Sequence, residues 1–326
     1  MPPDSSSRFT AKAIHCPNCR KNSNNKALGA QRGPKSLLYY YNTIMKQIIF
    51  TLACAALMLG TPATAKVKKS GKNTVEIRCS QGFQGPEEWV RLQLPVDKKG
   101  FITLFDGTSL DGWRGYGKTK VPSKWRIEDG CLTFMGKDGE GDGGDIIFAH
   151  KFKNFELEME WKVAKGANSG IFYLGQETTD ENGRLQPIYV SCPEYQVLDN
   201  ANHPDAKLGK DGNRMSASLY DMIPAKPQNQ KPYGEWNTTK IVVNHGTVEH
   251  WQNGVKVLTY QLWTPQWVEM LQNCKFSEKA WPAAFRLLKN CGGPNHEGLI
   301  GMQDHGDRVW YRNIRVKPLC CGACKK

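Results

Sequence analysis

Three short clusters of polar side chains have the residue types that sugar binding, proton transfer or metal binding requires. In the first, EYQVLD at 194–199, Glu194 and Gln196 stand two positions apart and would share one face of a strand. A carboxylate beside an amide suits sugar hydroxyls or a metal ion. The turn that follows places His203 next to the end of this strand. The plain alternative is a solvated sheet face followed by a polar loop.

The second cluster, GMQDHG at 301–306, places Gln303 and His305 on a common strand face. Histidine carries protons near neutral pH and is a common metal ligand, so an imidazole beside an amide indicates a functional site. A single histidine is nevertheless more often a hydrogen-bonded structural residue.

The third cluster joins amides to neighbouring aromatic and basic groups. It comprises Asn168-Ser169-Gly170, Trp236-Asn237 and Arg312-Asn313. Aromatic faces stack on sugar rings, while amides and guanidinium groups bind hydroxyls. Hydrogen bonding at turns and strand ends would explain the same residues without a ligand.

The elements that carry these clusters have the pattern of an antiparallel β-sandwich. Short alternating runs are separated by Gly, Asn, Asp and Pro, and the run at 155–161 (FELEMEW) alternates strictly, with its acids on the wet face. Asn253-Gly254 between two such runs predicts a hairpin, because both turn residues accept positive φ. We expect one main domain at 101–319, preceded at 66–100 by a linker or a loosely packed strand.

Two segments interrupt the strand pattern. Thr264-Pro265 predicts the start of a helix that runs toward Asn273, and residues 274–297 indicate a loop-rich excursion over one edge of the sandwich. The Gly- and Asp-rich loop at 136–145 has a composition that suits calcium, although it lacks the spacing of a twelve-residue calcium loop. A mobile turn is the simpler reading of that loop.

The first 65 residues predict export. Met45-Lys46, an apolar run and Ala63-Thr64-Ala65 form a signal peptide at 45–65, and the run is too short for a permanent membrane anchor. We therefore expect an exported protein, periplasmic or associated with the cell envelope, with no membrane span. Residues 1–44 would be a mis-assigned upstream extension. A lipoprotein with its lipid on Cys54 is a minor alternative.

The charge and the cysteines narrow the possible partners. The formal net charge of +13 falls to about +6 when the eight basic residues and one acidic residue of 1–65 are left out, and no basic stripe then argues for nucleic acid. Cys16 and Cys19 lack the second pair that a zinc site needs. Eight other cysteines could form disulfides after export, and a Cys-rich tail occupies 320–326. Phosphate-loop, serine-hydrolase and zinc-protease motifs are absent.

The clusters together resemble the 3-keto-disaccharide hydrolase family. The likeness extends over 101–319 and rests on FITLFDGTSLDGW at 101–113, NSGI at 168–171, EYQVLD at 194–199, and QDHG at 303–306 followed by Arg312-Asn313-Ile314. Trp236-Asn237 and Asn253-Gly254 occur between them in the same order. The resemblance implies a concanavalin-like jelly roll that acts on glycosides oxidised at the sugar C3 position.

A C3 ketone acidifies the hydrogen on C2, so a base can remove it and expel the C1 aglycone before water adds. We hypothesise that His305 or His203 is the base and that Glu194 with Asp199 serves as acid or metal ligand. The residues that would bind substrate are Asn168, Ser169, Gln196, Trp236, Gln303 and Arg312. A divalent cation at the enolate is an additional expectation, with Glu194 and His305 as its candidate ligands.

Two other functions fit the same sequence. A non-catalytic, lectin-like carbohydrate-binding module would have the same sandwich. A conventional glycosidase of the laminarinase type would use two acids on one strand, and Gln196 stands where the second acid would be.

Overall fold

A computed structural model of the chain describes residues 73–83 and 89–319, all within one compact unit, Ser70–Lys326. The predicted leader, the upstream extension, Cys16, Cys19, Cys54 and the Cys-rich tail lie outside the described residues. None of the helices in the described ranges is long and apolar enough to cross a membrane.

The described residues form an antiparallel β-sandwich with two short helices, which confirms the predicted fold class. The strands are β1 (Thr74–Ser80), β2 (Trp89–Pro95), β3 (Ile102–Phe105), β4 (Trp113–Gly115), β5 (Trp125–Glu128), β6 (Cys131–Phe134), β7 (Ile146–Phe152), β8 (Phe155–Val163), β9 (Asn168–Gly175), β10 (Glu194–Leu198), β11 (Asn237–Asn244), β12 (Thr247–Gln252), β13 (Val255–Gln261), β14 (Gly298–Met302) and β15 (Val309–Pro318). The helices are α1 (Pro265–Gln272) and α2 (Pro282–Lys289).

Two sheets enclose the core. The small sheet has the order β10-β9-β14-β7-β4, and the large sheet has the order β13-β12-β11-β8-β15-β6-β5 with β3 paired to β15. Along β8, every odd-numbered residue from Phe155 to Val163 is buried and the residues between them are half-exposed, as the alternation predicts. Aliphatic and aromatic residues from both sheets fill the space between them.

Within the segment that the sequence divides off at 66–100, β1 and β2 pair as an antiparallel ribbon. Ile77 and Cys79 of this ribbon are buried and belong to the main core. The predicted hairpin at Asn253-Gly254 is confirmed, since both residues have positive φ and join the paired strands β12 and β13.

The excursion contains one helix that the sequence predicts and one that it does not. Thr264 caps α1, because its Oγ1 accepts a hydrogen bond from the Trp267 amide at 3.2 Å, and Pro265 opens the helix. Within the loop-rich excursion expected at 274–297, the structure adds the helix α2, which no sequence signal located. Ala284, Phe285 and Leu288 give α2 a buried face at helical spacing.

All five cysteines in the described ranges are free thiols: Cys79, Cys131, Cys192, Cys274 and Cys291. The disulfides that export would allow are therefore absent from this part of the chain. Burial raises the pKa of the Cys291 thiol to about 12, which makes it inert as a nucleophile.

Candidate active site

The first two polar clusters and Asn168 of the third meet on the outer face of the small sheet, the face that points away from the large sheet. Glu194 and Gln196 of β10 lie opposite Phe172 and Gly170 of β9 on this face, whereas Tyr195 packs in the core between the sheets. The structure thus places Glu194 and Gln196 on a common face, as their spacing predicts.

Gly170 makes room for the Glu194 side chain. A Cβ atom at position 170 would lie 2.3 Å from Glu194 Oε1 and 2.9 Å from its Cδ, distances that real Cβ atoms do not show. The carboxyl group of Glu194 therefore lies across the backbone of β9. Gly170 is therefore needed at this position because any larger residue would displace the Glu194 side chain.

The end of β14 adds the second cluster to the same face. The backbone N–H of Gln303 donates to the backbone carbonyl of Gly170 at 2.9 Å. The side-chain nitrogen of Asn168 lies 3.3 Å from His305 Nε2. The Asn168 backbone amide donates to Asp307 at 3.0 Å, which fixes the loop after β14 against the start of β9. Asn168, Gln303 and His305 are thereby grouped beside Glu194 and Gln196.

These residues line one cavity of about 310 Å³. Its base carries Asn168, Glu194, Gln196, Gln303 and His305, and its walls carry Tyr189, Tyr220, Lys275 and Trp281. Three aromatic rings above a floor of amides and a carboxyl group are what a sugar ring requires of a binding site.

Glu194 is the carboxyl group best placed for proton transfer. Its side chain is buried and accepts no hydrogen bond from the described residues. Burial raises its pKa to about 8, while Lys275 opposes this rise and Asp145 and Asp205 add to it. Near neutral pH the group is mostly protonated and can give up its proton at little cost.

Two side-chain oxygens on the cavity floor have no hydrogen-bond partner among the described residues: Asn168 Oδ1 and Gln303 Oε1. Both are buried, and an unpaired buried acceptor costs about 1–3 kcal/mol. Rotating the Asn168 amide by 180° would place Oδ1 beside His305 Nε2, which would then donate and leave Nδ1 free to accept a proton. Gln303 Oε1 is available for a ligand hydroxyl.

His203, His305 and Asp307 form the one group in the described ranges that could hold a metal ion, with ligand atoms within 4.8 Å of one another. Glu194, a sequence-based candidate ligand, is not part of it. His203 Nδ1 accepts a hydrogen bond from the Asp205 amide at 3.1 Å. A divalent cation at the enolate stays a prediction, and the reaction proposed for the cavity does not depend on it.

Two carboxylates of the Gly- and Asp-rich loop at 136–145 have hydrogen-bond partners on neighbouring segments. Asp142 accepts hydrogen bonds from the amide and hydroxyl of Ser123 and pairs with Lys118 at 2.9 Å. Asp145 accepts from the Asp304 amide at 2.9 Å. These bonds tie the loop to its neighbours, and calcium binding there stays a prediction.

Five of the sequence-based site residues lie outside the cavity: Ser169, Asp199, His203, Trp236 and Arg312. Ser169 points into the core, where its hydroxyl donates to the Gln303 carbonyl and lies 2.9 Å from the Tyr311 hydroxyl. Asp199 is buried, and its carboxylate accepts from the amides of Gly166 and Ala201 and from Asn202. It stabilises the turn after β10, which leaves it unable to act on a ligand in the cavity.

Trp236 and Arg312 are on the other side of the molecule. Tyr311 is buried between the sheets, so Arg312, the next residue of β15, lies on the outer face of the large sheet. There it pairs with Glu160 at 2.6 Å and stacks on the Trp236 ring, 3.9 Å from its centroid. The expectation that these two residues bind substrate with the others is wrong.

His203 packs behind His305, with the ring centroids 6.1 Å apart, and does not line the cavity. Of the two histidines proposed as the base, the structure therefore brings only His305 to the cavity.

The sequence does not assign the four wall residues, Tyr189, Tyr220, Lys275 and Trp281, to the site. Tyr189 lies in a single 3-10 turn at Ile188–Val190, Tyr220 lies in a loop, and the other two lie on the excursion, where no periodicity assigns a side chain to a face. The only available signal was the density of aromatics in 274–297.

A larger groove, of about 690 Å³, lies on the outer face of the large sheet. Its acids Glu158 and Glu160 are paired with Arg315 and Arg312 at 2.6 Å each. Charges that neutralise each other across a sheet offer little to a ligand, so volume alone does not make this groove the active site.

Residues 100–317 match the family described as the 3-keto-alpha-glucoside-1,2-lyase-like domain. Over 290 residues the chain is 61% identical to a 3-keto-disaccharide hydrolase from Bacteroides thetaiotaomicron, covering 84% of this chain and all of that protein. A crystal structure of a putative glycosyl hydrolase from Parabacteroides distasonis is 27% identical, with a TM-score of 0.56 over 68% of this chain and 95% of that one.

Proposed function

The chain belongs to the 3-keto-disaccharide hydrolase family, and on that premise we propose that it cleaves 3-keto-glycosides by elimination and hydration in the cavity built around Glu194. Membership in this family makes the protein a hydrolase-type enzyme that cleaves glycosides. The single observation that carries the finer proposal is the buried Glu194 carboxyl group, unbonded among the described residues, in a cavity that also contains an imidazole.

The reaction begins at C2. His305 removes the proton from C2, which the neighbouring ketone acidifies, and the electrons form an enolate. The enolate expels the aglycone from C1, and Glu194 gives its proton to the departing oxygen. Water then adds to C1 and a proton returns to C2, which yields the 3-keto sugar and the free aglycone.

The amides of the floor orient the sugar. Gln196 is fully buried and held by its bond to the Arg214 carbonyl at 3.3 Å, so its position is set before a ligand arrives. Gln303 Oε1 and Asn168 can bind hydroxyls, and the Trp281 and Tyr189 rings, 6.1 Å apart, provide apolar surface for the sugar faces. A rigid floor with aromatic walls keeps the reacting atoms in position.

The arrangement argues against a conventional two-acid glycosidase. On β10 the residue that shares the outer face with Glu194 is the amide Gln196, which cannot act as a second carboxylate. Burial raises the pKa of Glu194, so this group can donate a proton near neutral pH, which favours catalysis over lectin-like binding.

The proposal is tested by incubating the purified protein with a 3-keto-disaccharide and, separately, with the same disaccharide unoxidised. We expect the monosaccharide products from the oxidised substrate only. Cleavage of the unoxidised sugar, lost in Glu194→Gln, would support the conventional glycosidase, and binding without any product would support the lectin.

The same assay with a chelator tests the expected cation. If His305 acts as a base without a metal ion, turnover should survive the chelator. Loss of turnover that added Mn²⁺ or Zn²⁺ restores would instead assign His305 to a metal.

The proposal also places the enzyme outside the cytoplasm. Its support is the basic start, apolar run and small-residue cleavage site at 45–65. The mass of the protein recovered from the periplasm should correspond to a chain that begins at Lys66. A full-length protein recovered only from the cytoplasm would contradict it.

A further inference from the structure

Lys275 is a wall residue of the cavity that the reaction above leaves without a role. Its Nζ atom has no ion pair and no hydrogen bond with the described residues, and it lies 4.2 Å from the centroid of the Tyr220 ring and 4.9 Å from that of Phe276. A lysine that faces a cavity and lacks a carboxylate partner has a charge that is available to a ligand.

The loop that carries Lys275 is fixed by a chain of charged contacts. The Lys275 amide donates to Asp221 Oδ2 at 2.9 Å, and Arg214 Nε donates to Asp221 Oδ1 at 2.6 Å. Arg214 also reaches Asp205 at 2.9 Å, and the Tyr220 hydroxyl donates to that same carboxylate at 3.0 Å. The backbone of Lys275 and the ring beneath its ammonium group are thus held by one network.

This network is partly buried, and Arg214 bridges two carboxylates with one hydrogen bond to each, unlike an isolated surface ion pair. The side chains of Arg214, Asp205 and Asp221 are 20%, 14% and 8% exposed. Charge-assisted bonds of this geometry restrict the loop more than isolated exposed pairs do. This network therefore fixes the backbone of Lys275 beside the cavity.

We propose that Lys275 is a catalytic residue whose ammonium group stabilises the negative charge that develops on the C3 oxygen when the C2 proton leaves. This inference rests on the proposed function. The chemistry demands a positive group at that oxygen, because an enolate forms there, and Lys275 is the cationic side chain that lines the cavity.

The interaction of Lys275 with Glu194 gives a second, independent observable. Lys275 is an exposed residue, and its partial desolvation beside the cavity lowers its pKa on balance, against the opposing effect of Glu194; its positive charge in turn lowers the pKa of Glu194. Removing the ammonium group should therefore raise the pKa of Glu194 further. Any cation near Glu194 would have this effect, so the shift tests whether the ammonium group lies beside Glu194, and the loss of kcat tests its role in the reaction.

The test compares Lys275→Met with Lys279→Met, a matched change at an exposed lysine four positions along the same excursion. With a 3-keto-disaccharide as substrate, Lys275→Met should lower kcat by roughly 10²–10³-fold and change KM little, because an enolate exists only after the proton has left. The alkaline limb of its pH profile should move to higher pH. Lys279→Met should match the parent protein, and Lys275→Arg should recover part of kcat.

Three results would overturn the role of Lys275. The first is a kcat within threefold of the parent in folded Lys275→Met, and the second is an unmoved alkaline limb. The third is a reduced covalent adduct at Lys275 after borohydride treatment with substrate, which would show an imine with the ketone instead of an ammonium beside an enolate. If the parent protein cleaves no 3-keto-disaccharide at all, the proposed function itself fails.

Discussion

Gly170→Ala tests whether the position of the Glu194 carboxyl group governs the reaction. Gly170 lies in β9 without positive φ, so alanine can adopt its backbone conformation. The new Cβ would stand 2.3 Å from Glu194 Oε1, where ordinary contact begins at 3.4 Å, so the carboxyl group must move by about 1 Å. Glu194 Cδ and Cγ would each lie 2.9 Å from the new Cβ as well, so the whole side chain must rotate away from β9.

A displacement of this size costs roughly 10²-fold in rate when a proton donor must meet a leaving oxygen. The cost in stability should be smaller, about 1–3 kcal/mol, which is the usual penalty for overpacking. Turnover of a 3-keto-disaccharide and urea unfolding, measured on the same preparation, separate the two effects.

The matched control places Gly170→Ala in a Glu194→Ala background, where the clash is removed. There the additional alanine should cost no stability, because no carboxyl group remains to be displaced. Folded Gly170→Ala with kcat/KM within twofold of the parent would refute the reasoning, since it would show that the reaction tolerates a displaced Glu194.

Three further predictions follow from the charges. Glu194 must be protonated to act as an acid, and burial raises its pKa to about 8, so kcat/KM should fall as pH rises through that value. Glu194→Gln should abolish this alkaline decrease and lower the rate by roughly 10²–10⁴-fold. Burial raises the pKa of Asp145 from 3.8 to about 7, so in this range the native state binds a proton that the unfolded state does not. The free energy of unfolding should therefore decrease as pH rises from 3.8 to about 7, and Asp145→Asn should flatten this dependence in urea unfolding. Arg312→Ala should leave kcat/KM within threefold and cost at most about 1 kcal/mol in urea unfolding, because its pair with Glu160 is partly exposed and lies on the opposite face of the sandwich.

The part of the site that lies on strands was predictable from the sequence, because alternation assigns a face to each side chain. Glu194 with Gln196, and Gln303 with His305, share a face for this reason. The same rule failed for Arg312 because alternation separates inner from outer faces but does not say which sheet a strand joins. Arg312 lies on an outer face, as expected for a polar residue of β15, but β15 belongs to the large sheet and the cavity lies on the small sheet.

The walls of the cavity were not predictable in this way. Lys275 and Trp281 lie between α1 and the start of α2, where contacts with distant loops fix the backbone. The position of Lys275 depends on Asp221 and Arg214, more than fifty residues earlier, and no local pattern reports such a contact. Helix α2 was missed because Trp281 provides no side-chain cap, so the usual signal for a helix start is weak.

The role of Asp199 was misjudged for a related reason. An acid at the end of a polar strand has the composition of a catalytic group, and it has the same composition when it closes a turn. Only its hydrogen bonds to Gly166, Ala201 and Asn202 decide between the two.

The proposed cleavage passes through loss of the C2 proton, which the reaction in D₂O tests directly. We expect the 3-keto sugar released by the enzyme to carry one deuterium at C2, above the level that the product acquires in D₂O without enzyme over the same time. A 3-keto sugar released with only protium at C2 would instead indicate direct hydrolysis at C1, without proton loss from C2.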